Sequence, residues 1–179
     1  AYADRYCQSV TIITGPIDTE RYHPKSDEGR SGLLLGWIGS PTTTQYLEVI
    51  RPALERLGRH RDGLTLRLIG AGPLGIDAVR VEHVAWALDT EVEALGVCDI
   101  GLMPLPDNPW TEGKGGYKIL QYSALGLPVV ASPVGINQEL VLDGETGFLV
   151  EETDDWVSKL NRLLDDGCLR QRLGDAGRS

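Results

Sequence analysis

Short apolar runs recur along the chain, separated by longer amphipathic stretches. The runs cover residues 10–14, 33–38, 64–69, 81–86, 100–103, 129–131 and 148–150. Most are nearly unbroken Val, Ile and Leu rather than alternating apolar and polar positions. That is the pattern of strands covered on both faces. Between them the spacing turns helical. Over 44–58, Leu47, Ile50, Leu54 and Leu57 share a face, and Pro52 is expected to remove one backbone bond and kink the helix. A short helix is predicted over 89–95, with Asp89 or Thr90 as its N-cap. Others are predicted over 114–125, 136–142 and 168–174. Trp156, Val157, Leu160, Leu163 and Leu164 form an apolar stripe that Gly167 is expected to end. The residues after Gly174 lack an apolar anchor and are expected to fray.

Strand alternating with helix predicts an α/β fold: a Rossmann-like parallel sheet with helices on both faces. Right-handed crossovers and a 3-2-1-4-5-6 strand order are expected. In such sheets a ligand binds beyond the carboxyl ends of the strands. Three glycine-bearing loops follow strands here: Gly36-Trp-Ile-Gly39-Ser40-Pro41, Gly70-Ala-Gly72-Pro73 and Ser132-Pro-Val-Gly135.

Composition narrows the chemistry. With 179 residues, 41% apolar and 24% charged, the chain fits one soluble domain with a full core. A net charge of −9 excludes non-specific nucleic-acid binding, which needs a basic surface. It leaves room for an anionic ligand, because a local cation cluster outweighs the global field at contact range. Cys7, Cys98 and Cys168 are scattered, with neither metal-ligand spacing nor a disulfide framework, so a reducing, cytoplasmic location is expected. No apolar run reaches membrane-spanning length. Membrane association of a longer protein is left open. The first residue is Ala and the only Met is Met103, so the chain is expected to be processed or cut from a longer one.

The densest chemistry lies in Glu112-Gly-Lys-Gly-Gly-Tyr-Lys-Ile-Leu-Gln-Tyr-Ser-Ala-Leu-Gly-Leu-Pro-Val-Val-Ala-Ser132. Lys114, Lys118 and Gln121 are spaced i, i+4, i+7 on the predicted helix. Gly113, Gly115 and Gly116 let a ligand close to the backbone. Two cations and an amide at a helix start suit a phosphate group. On spacing alone, a solvated helix face remains the competing reading. Gly70-Ala-Gly-Pro-Leu-Gly75 fits the G-x-G-x-x-G dinucleotide fingerprint, but weakly, because Pro73 removes an amide and no long helix follows. There is no P-loop and no readable Ser/His/Asp set. Glu139, in the first turn of the 136–142 helix, divides evenly between a dipole-stabilising and a functional role.

Several segments, in order, resemble the C-terminal, donor-binding half of a GT-B glycosyltransferase of the family 4, group 1 type. Residues 116–132 resemble the family's E-x7-E helix and its exit strand. Gly135-Ile-Asn-Gln-Glu139-Leu-Val and Asp143-Gly-Glu-Thr-Gly147-Phe-Leu-Val resemble the segment that follows. Leu68-Ile-Gly-Ala-Gly-Pro73 resembles the central strand and loop, and residues 12–24 resemble the interdomain linker. The resemblance implies a linker and first strand over 1–24 and a nucleotide-sugar-binding domain over 25–179. The resemblance also implies an N-terminal acceptor domain outside this chain. It also implies retaining transfer from a nucleoside diphosphate sugar, with that sugar and the acceptor domain as partners and neither metal nor cofactor. The family's two acids fall on Gln121 and Gly113, with Glu112 one residue early. Its arginine and lysine clamp falls on Trp37 and Thr42, which marks a divergent branch. The implied roles are diphosphate neutralisation by Lys114 and Lys118 and phosphate contact by amides near Gly115, Gly116 and Tyr117 and near Gly39 and Ser40. Gln121 would contact ribose, and Glu112 or Gly113 would face the sugar. A non-catalytic nucleotide-sugar-binding or assembly domain, and a nucleotide-sugar epimerase-like domain, stay open as alternatives.

Overall fold

The computed structural model describes residues 5–11, 13–24 and 34–179. Its centre is a six-stranded, all-parallel sheet: β1 (Leu34–Ile38), β2 (Thr65–Ile69), β3 (Arg80–Val84), β4 (Ile100–Met103), β5 (Val129–Ala131) and β6 (Gly147–Leu149). The order is β3-β2-β1-β4-β5-β6, as the strand–helix alternation predicts. Successive residues of each strand feed opposite faces. Leu35, Trp37, Leu66, Leu68, Ile100, Leu102 and Val130 pack on one side, against α1 (Arg51–His60) and α6 (Thr153–Asp165). Ile38, Ile69, Met103, Val129 and Ala131 pack on the other, with Leu95 of α2 (Glu91–Gly96) and Ile119 and Tyr122 of α4 (Tyr117–Ala124). Where both faces are covered, as in β1, β4 and β5, the strands read as continuous apolar runs; the edge strand β3, Arg-Val-Glu-His-Val, does not.

Several boundaries differ from expectation. Pro52 does not kink one long helix. A 3-10 helix, Pro41–Ile50, precedes α1, and Ile50 (φ −108°, ψ 5°) breaks the helical path between them. Pro52 therefore sits in the first turn of α1, where its missing N–H costs no helical bond. Of the run 10–14, the described residues lie outside every strand, and Ile13 is 86% exposed. Residues 12 and 33 of the predicted strands lie outside the described residues.

The predicted helix 114–125 begins at Tyr117. Gly116 takes a left-handed φ of +66°, and a Cβ there would stand 2.3 Å from Leu140 Cδ1 of α5 (Asn137–Leu140). Lys114 and Gly115 therefore belong to the loop that follows the short helix α3 (Pro109–Glu112).

The C-terminus is ordered rather than frayed. Asp166 Oδ1 accepts the Leu169 amide at 2.9 Å and caps α7 (Gly167–Arg178), so Gly167 opens a helix as well as following one. Arg178 anchors the last turn. Its guanidinium donates to the carbonyls of Tyr22 (2.8 Å), Thr19 (3.2 Å) and Ala124. This anchoring is polar, which a search for apolar residues does not find.

At Gly174 of α7, an added Cβ would lie 2.0 Å from the Gly126 carbonyl oxygen, a backbone atom that cannot step aside. Gly174→Ala is expected to lower stability by about 1–3 kcal/mol, as overpacking does. Urea unfolding checks this, and an unchanged midpoint would mean that α7 is not docked as described.

Candidate active-site cleft

The sheet order reverses between β1 and β4, and a cleft of about 740 Å³ opens at the carboxyl ends of the strands around that point. Each neighbouring strand delivers a wall: Gly39 and Ser40 after β1, Gly70 after β2, Trp86 after β3 and Met103 at the end of β4. The loop and first turns of α4 close it with Lys114, Gly115, Gly116, Tyr117, Lys118 and Gln121.

Both lysines rest on aromatic faces. Lys118 Nζ lies 5.5 Å from the centroid of the buried Trp37 ring, and Lys114 Nζ lies 5.1 Å from that of Tyr46. The ring quadrupoles help hold the cations in place. Burial, and secondarily the charge of Lys114, pull the Lys118 pKa down to about 8. A bound anion would reverse the second effect. The amides of Gly115, Gly116 and Tyr117 take no backbone acceptor among the described residues, so three donors stand beside the two cations.

A buried carboxylate organises the other end. Glu91 is 5% exposed and accepts three donors: Tyr22 Oη at 2.6 Å, Trp86 Nε1 at 2.7 Å and Arg21 Nη2 at 3.0 Å. Tyr22 Oη in turn accepts from Gln121 Nε2 at 2.9 Å. Burial first, then Glu91, push the Tyr22 phenol up to about 12. Trp86 keeps half its surface exposed while its indole N–H is fixed by Glu91, leaving a rigid apolar plane over the cleft.

Eight of the sequence-identified residues meet in this cleft: Gly39, Ser40, Lys114, Gly115, Gly116, Tyr117, Lys118 and Gln121. Lys114 reaches it from the loop, so the predicted i, i+4, i+7 helix face does not exist as such. The Gly39 and Ser40 amides are not free for phosphate. They donate to the Ile69 carbonyl (3.0 Å) and to Thr43 Oγ1 (3.1 Å). Glu112, Gly113 and Glu139 do not line the cleft. The Glu112 carbonyl is turned onto Gly135, where a Cβ would meet it at 2.5 Å, and its residue is exposed, as is Glu139. Sequence reasoning missed Trp86, Glu91 and Tyr22, which are brought together from separate segments of the chain. The available signal was Trp86 at the carboxyl end of the apolar run 81–86, which the structure places two residues beyond β3.

A larger groove, about 1000 Å³, opens at the amino ends of β4 and β5, lined by Asp99, Pro128, Asp165, Asp166 and Arg170. Its charges are largely spent on the fold. Asp165 pairs with Arg61 at 2.7 Å, Asp166 caps α7, and Arg170 donates to the Leu163 carbonyl at 2.6 Å. The Gly167 and Cys168 amides and Arg172 also line this groove, but a pair of lysines beside unused amides is found at the carboxyl-end cleft.

The family model described as "Glycosyl transferases group 1" matches residues 32–166. The chain belongs to the group 1 glycosyl transferases. Among curated relatives, it is 30% identical over 190 residues to the GDP-mannose-dependent alpha-(1-6)-phosphatidylinositol monomannoside mannosyltransferase of Mycolicibacterium smegmatis, covering 90% of this chain and 49% of the relative. The chain thus spans about half the length of such relatives. Its fold matches the C-terminal domain of the group 1 protein LpcC from Francisella tularensis, with a TM-score of 0.68 at 18% identity, covering 91% of this chain and 95% of that one. It also matches Anabaena HepE, solved in complex with UDP-glucose, with a TM-score of 0.71 at 18% identity, covering 90% of this chain and half of that one. The domain is the Rossmann-like half of a GT-B fold. Among the described residues, no helix is long and apolar enough to cross a membrane.

The lowered Lys118 pKa makes a stability prediction. Its folded value, about 8, lies below its ordinary value of 10.5, so the unfolded chain binds the extra proton between the two. The cost of the buried charge is full below pH 8 and is lost as pH rises to 10.5. Lys118→Met is expected to unfold at higher denaturant than the parent at pH 7, with the gap narrowing from pH 8 to 10.5. A gap independent of pH would contradict the desolvated cation.

Proposed function

We propose that this chain is the donor-binding domain of a glycosyltransferase that moves a sugar from a nucleoside diphosphate sugar to an acceptor, with retention of configuration. The observation that carries the reading is the convergence of three unused amides, Gly115 to Tyr117, with Lys114 and Lys118 in one cleft at the sheet's switch point. A diphosphate supplies the matching charge and acceptors. The volume suits a ligand of nucleotide-sugar size. The HepE complex with UDP-glucose and the GDP-mannose dependence of the mycobacterial relative support the same ligand class. We assign neutralisation of the diphosphate to the two lysines, without a resident metal. Ser40 contributes through its hydroxyl rather than its occupied amide, and Gln121 meets the ribose. Residues 1–24 serve as the linker to an acceptor domain, and the free cysteines fit a cytoplasmic setting.

Calorimetry with UDP, GDP and ADP tests this. One of them is expected to bind, and Lys118→Ala is expected to weaken it by about 1.5–3 kcal/mol, the range for a charge-assisted contact. Affinity falls as pH passes about 8 in the parent, where Lys118 loses its proton, and the fall is absent in the variant. Failure of all three nucleotides to bind would remove the donor reading. Residues 1–179 alone are expected to show no sugar transfer, because positioning two substrates needs both walls of the interdomain cleft. A transfer assay that finds turnover by this domain alone would favour a self-contained enzyme instead.

A further inference from the structure

The Glu91–Tyr22–Gln121 chain has a direction. Tyr22 Oη carries one proton. Glu91 already receives an indole N–H and a guanidinium N–H, so its oxygens act as acceptors and the phenol proton goes to Glu91 Oε1 at 2.6 Å. Oη is then left only as an acceptor, and Gln121 must turn its NH2 toward it, at 2.9 Å. The two ends of a glutamine amide are otherwise hard to tell apart; here the network decides. The amide oxygen therefore points away from Tyr22. It takes no hydrogen bond among the described residues and is not one of the buried unpaired polar atoms, so it meets the cleft that Gln121 lines. The high pKa of Tyr22 keeps the phenol protonated throughout the physiological range.

We propose that Tyr22 and Glu91 are positioning residues that lock Gln121 with its oxygen facing the nucleoside end of the cleft, where it selects a ligand carrying a sugar hydroxyl. The same carboxylate pins the Trp86 plane, so one buried charge sets both a flat apolar wall and a fixed acceptor. Tyr22 belongs to the segment leading into the domain, and α7 holds that segment through Arg178. A residue 99 positions before Gln121 thus decides what the cleft reads. A donor-only hydroxyl contact follows: a deoxy sugar leaves the glutamine oxygen without a partner. This inference rests on the donor-binding reading.

The test is calorimetry on the parent chain, Tyr22→Phe and Glu91→Gln. Whichever of UDP, GDP and ADP binds most tightly is compared with its 2′-deoxy and 3′-deoxy forms. The parent is expected to bind one deoxy form about tenfold more weakly, the cost of an unpaired acceptor. In Tyr22→Phe the amide is free to rotate, and the penalty is expected to fall by about threefold or more, with the unfolding midpoint measured alongside. In Glu91→Gln the new amide donates to Oη, the phenol proton turns to Gln121, and the penalty falls as well. In a Gln121→Met background, adding Tyr22→Phe is expected to change the deoxy penalty no further, which a merely structural role for Tyr22 would not produce. A full deoxy penalty retained in folded Tyr22→Phe and Glu91→Gln, or no penalty in the parent, would overturn this inference and leave the donor reading standing. No binding of any of the three nucleotides would overturn both.

Discussion

A parallel sheet buried on both faces has only its two ends on which to carry polar chemistry. That constraint shapes this domain. Leu35, Trp37, Leu66 and Leu68 are sealed by α1 and α6, and Ile38, Ile69 and Met103 by the opposite layer. Any group that must meet an anion has to emerge where the strands stop. The strand order reverses between β1 and β4, so the loops after them diverge and leave a gap. Four strands contribute walls to it, and the loop leading into α4 and its first residue bring their free amides there.

The cleft concentrates charge that the rest of the molecule does not favour. The chain carries a net −9, yet two lysines are drawn together on aromatic faces beside helix-start amides. Desolvation of Lys118, and secondarily its repulsion by Lys114, oppose folding, as the lowered Lys118 pKa reflects. At the far end the balance is of opposite sign: Glu91 is buried but satisfied by three donors. An unsatisfied cationic end and a satisfied anionic end suit an elongated ligand with a charged diphosphate and a neutral nucleoside.

Much of the fold was legible because its signals are local. Apolar runs covered on both faces marked β1, β4, β5 and β6, whereas the edge strand β3 has no buried residue, and the Gly126-Leu-Pro128 stop marked the end of α4. What was misjudged depends on contacts distant in sequence. The segment after Gly174 lacks an apolar anchor, yet Arg178 reaches the carbonyls of Thr19 and Tyr22. Pro52 looked like a kink because a 3-10 helix and an α-helix share one hydrophobic period across Ile50. In the site, the glycine-lysine loop was visible as a motif. The Tyr22–Glu91–Gln121 network was not, since its members are separated by 69 and 99 positions. Glu112 drew attention by motif position alone, while its backbone packs on Gly135.

The central claim is that the carboxyl-end cleft, rather than the groove at the amino ends of β4 and β5, is where the ligand binds. Amide chemical-shift mapping by NMR during titration with UDP or GDP tests it most directly. The largest shifts are expected on the amides of Gly115, Gly116 and Tyr117 and on the indole N–H of Trp86. Dominant shifts at Gly167, Cys168 and Arg170, with the Gly115–Tyr117 amides unmoved, would contradict it.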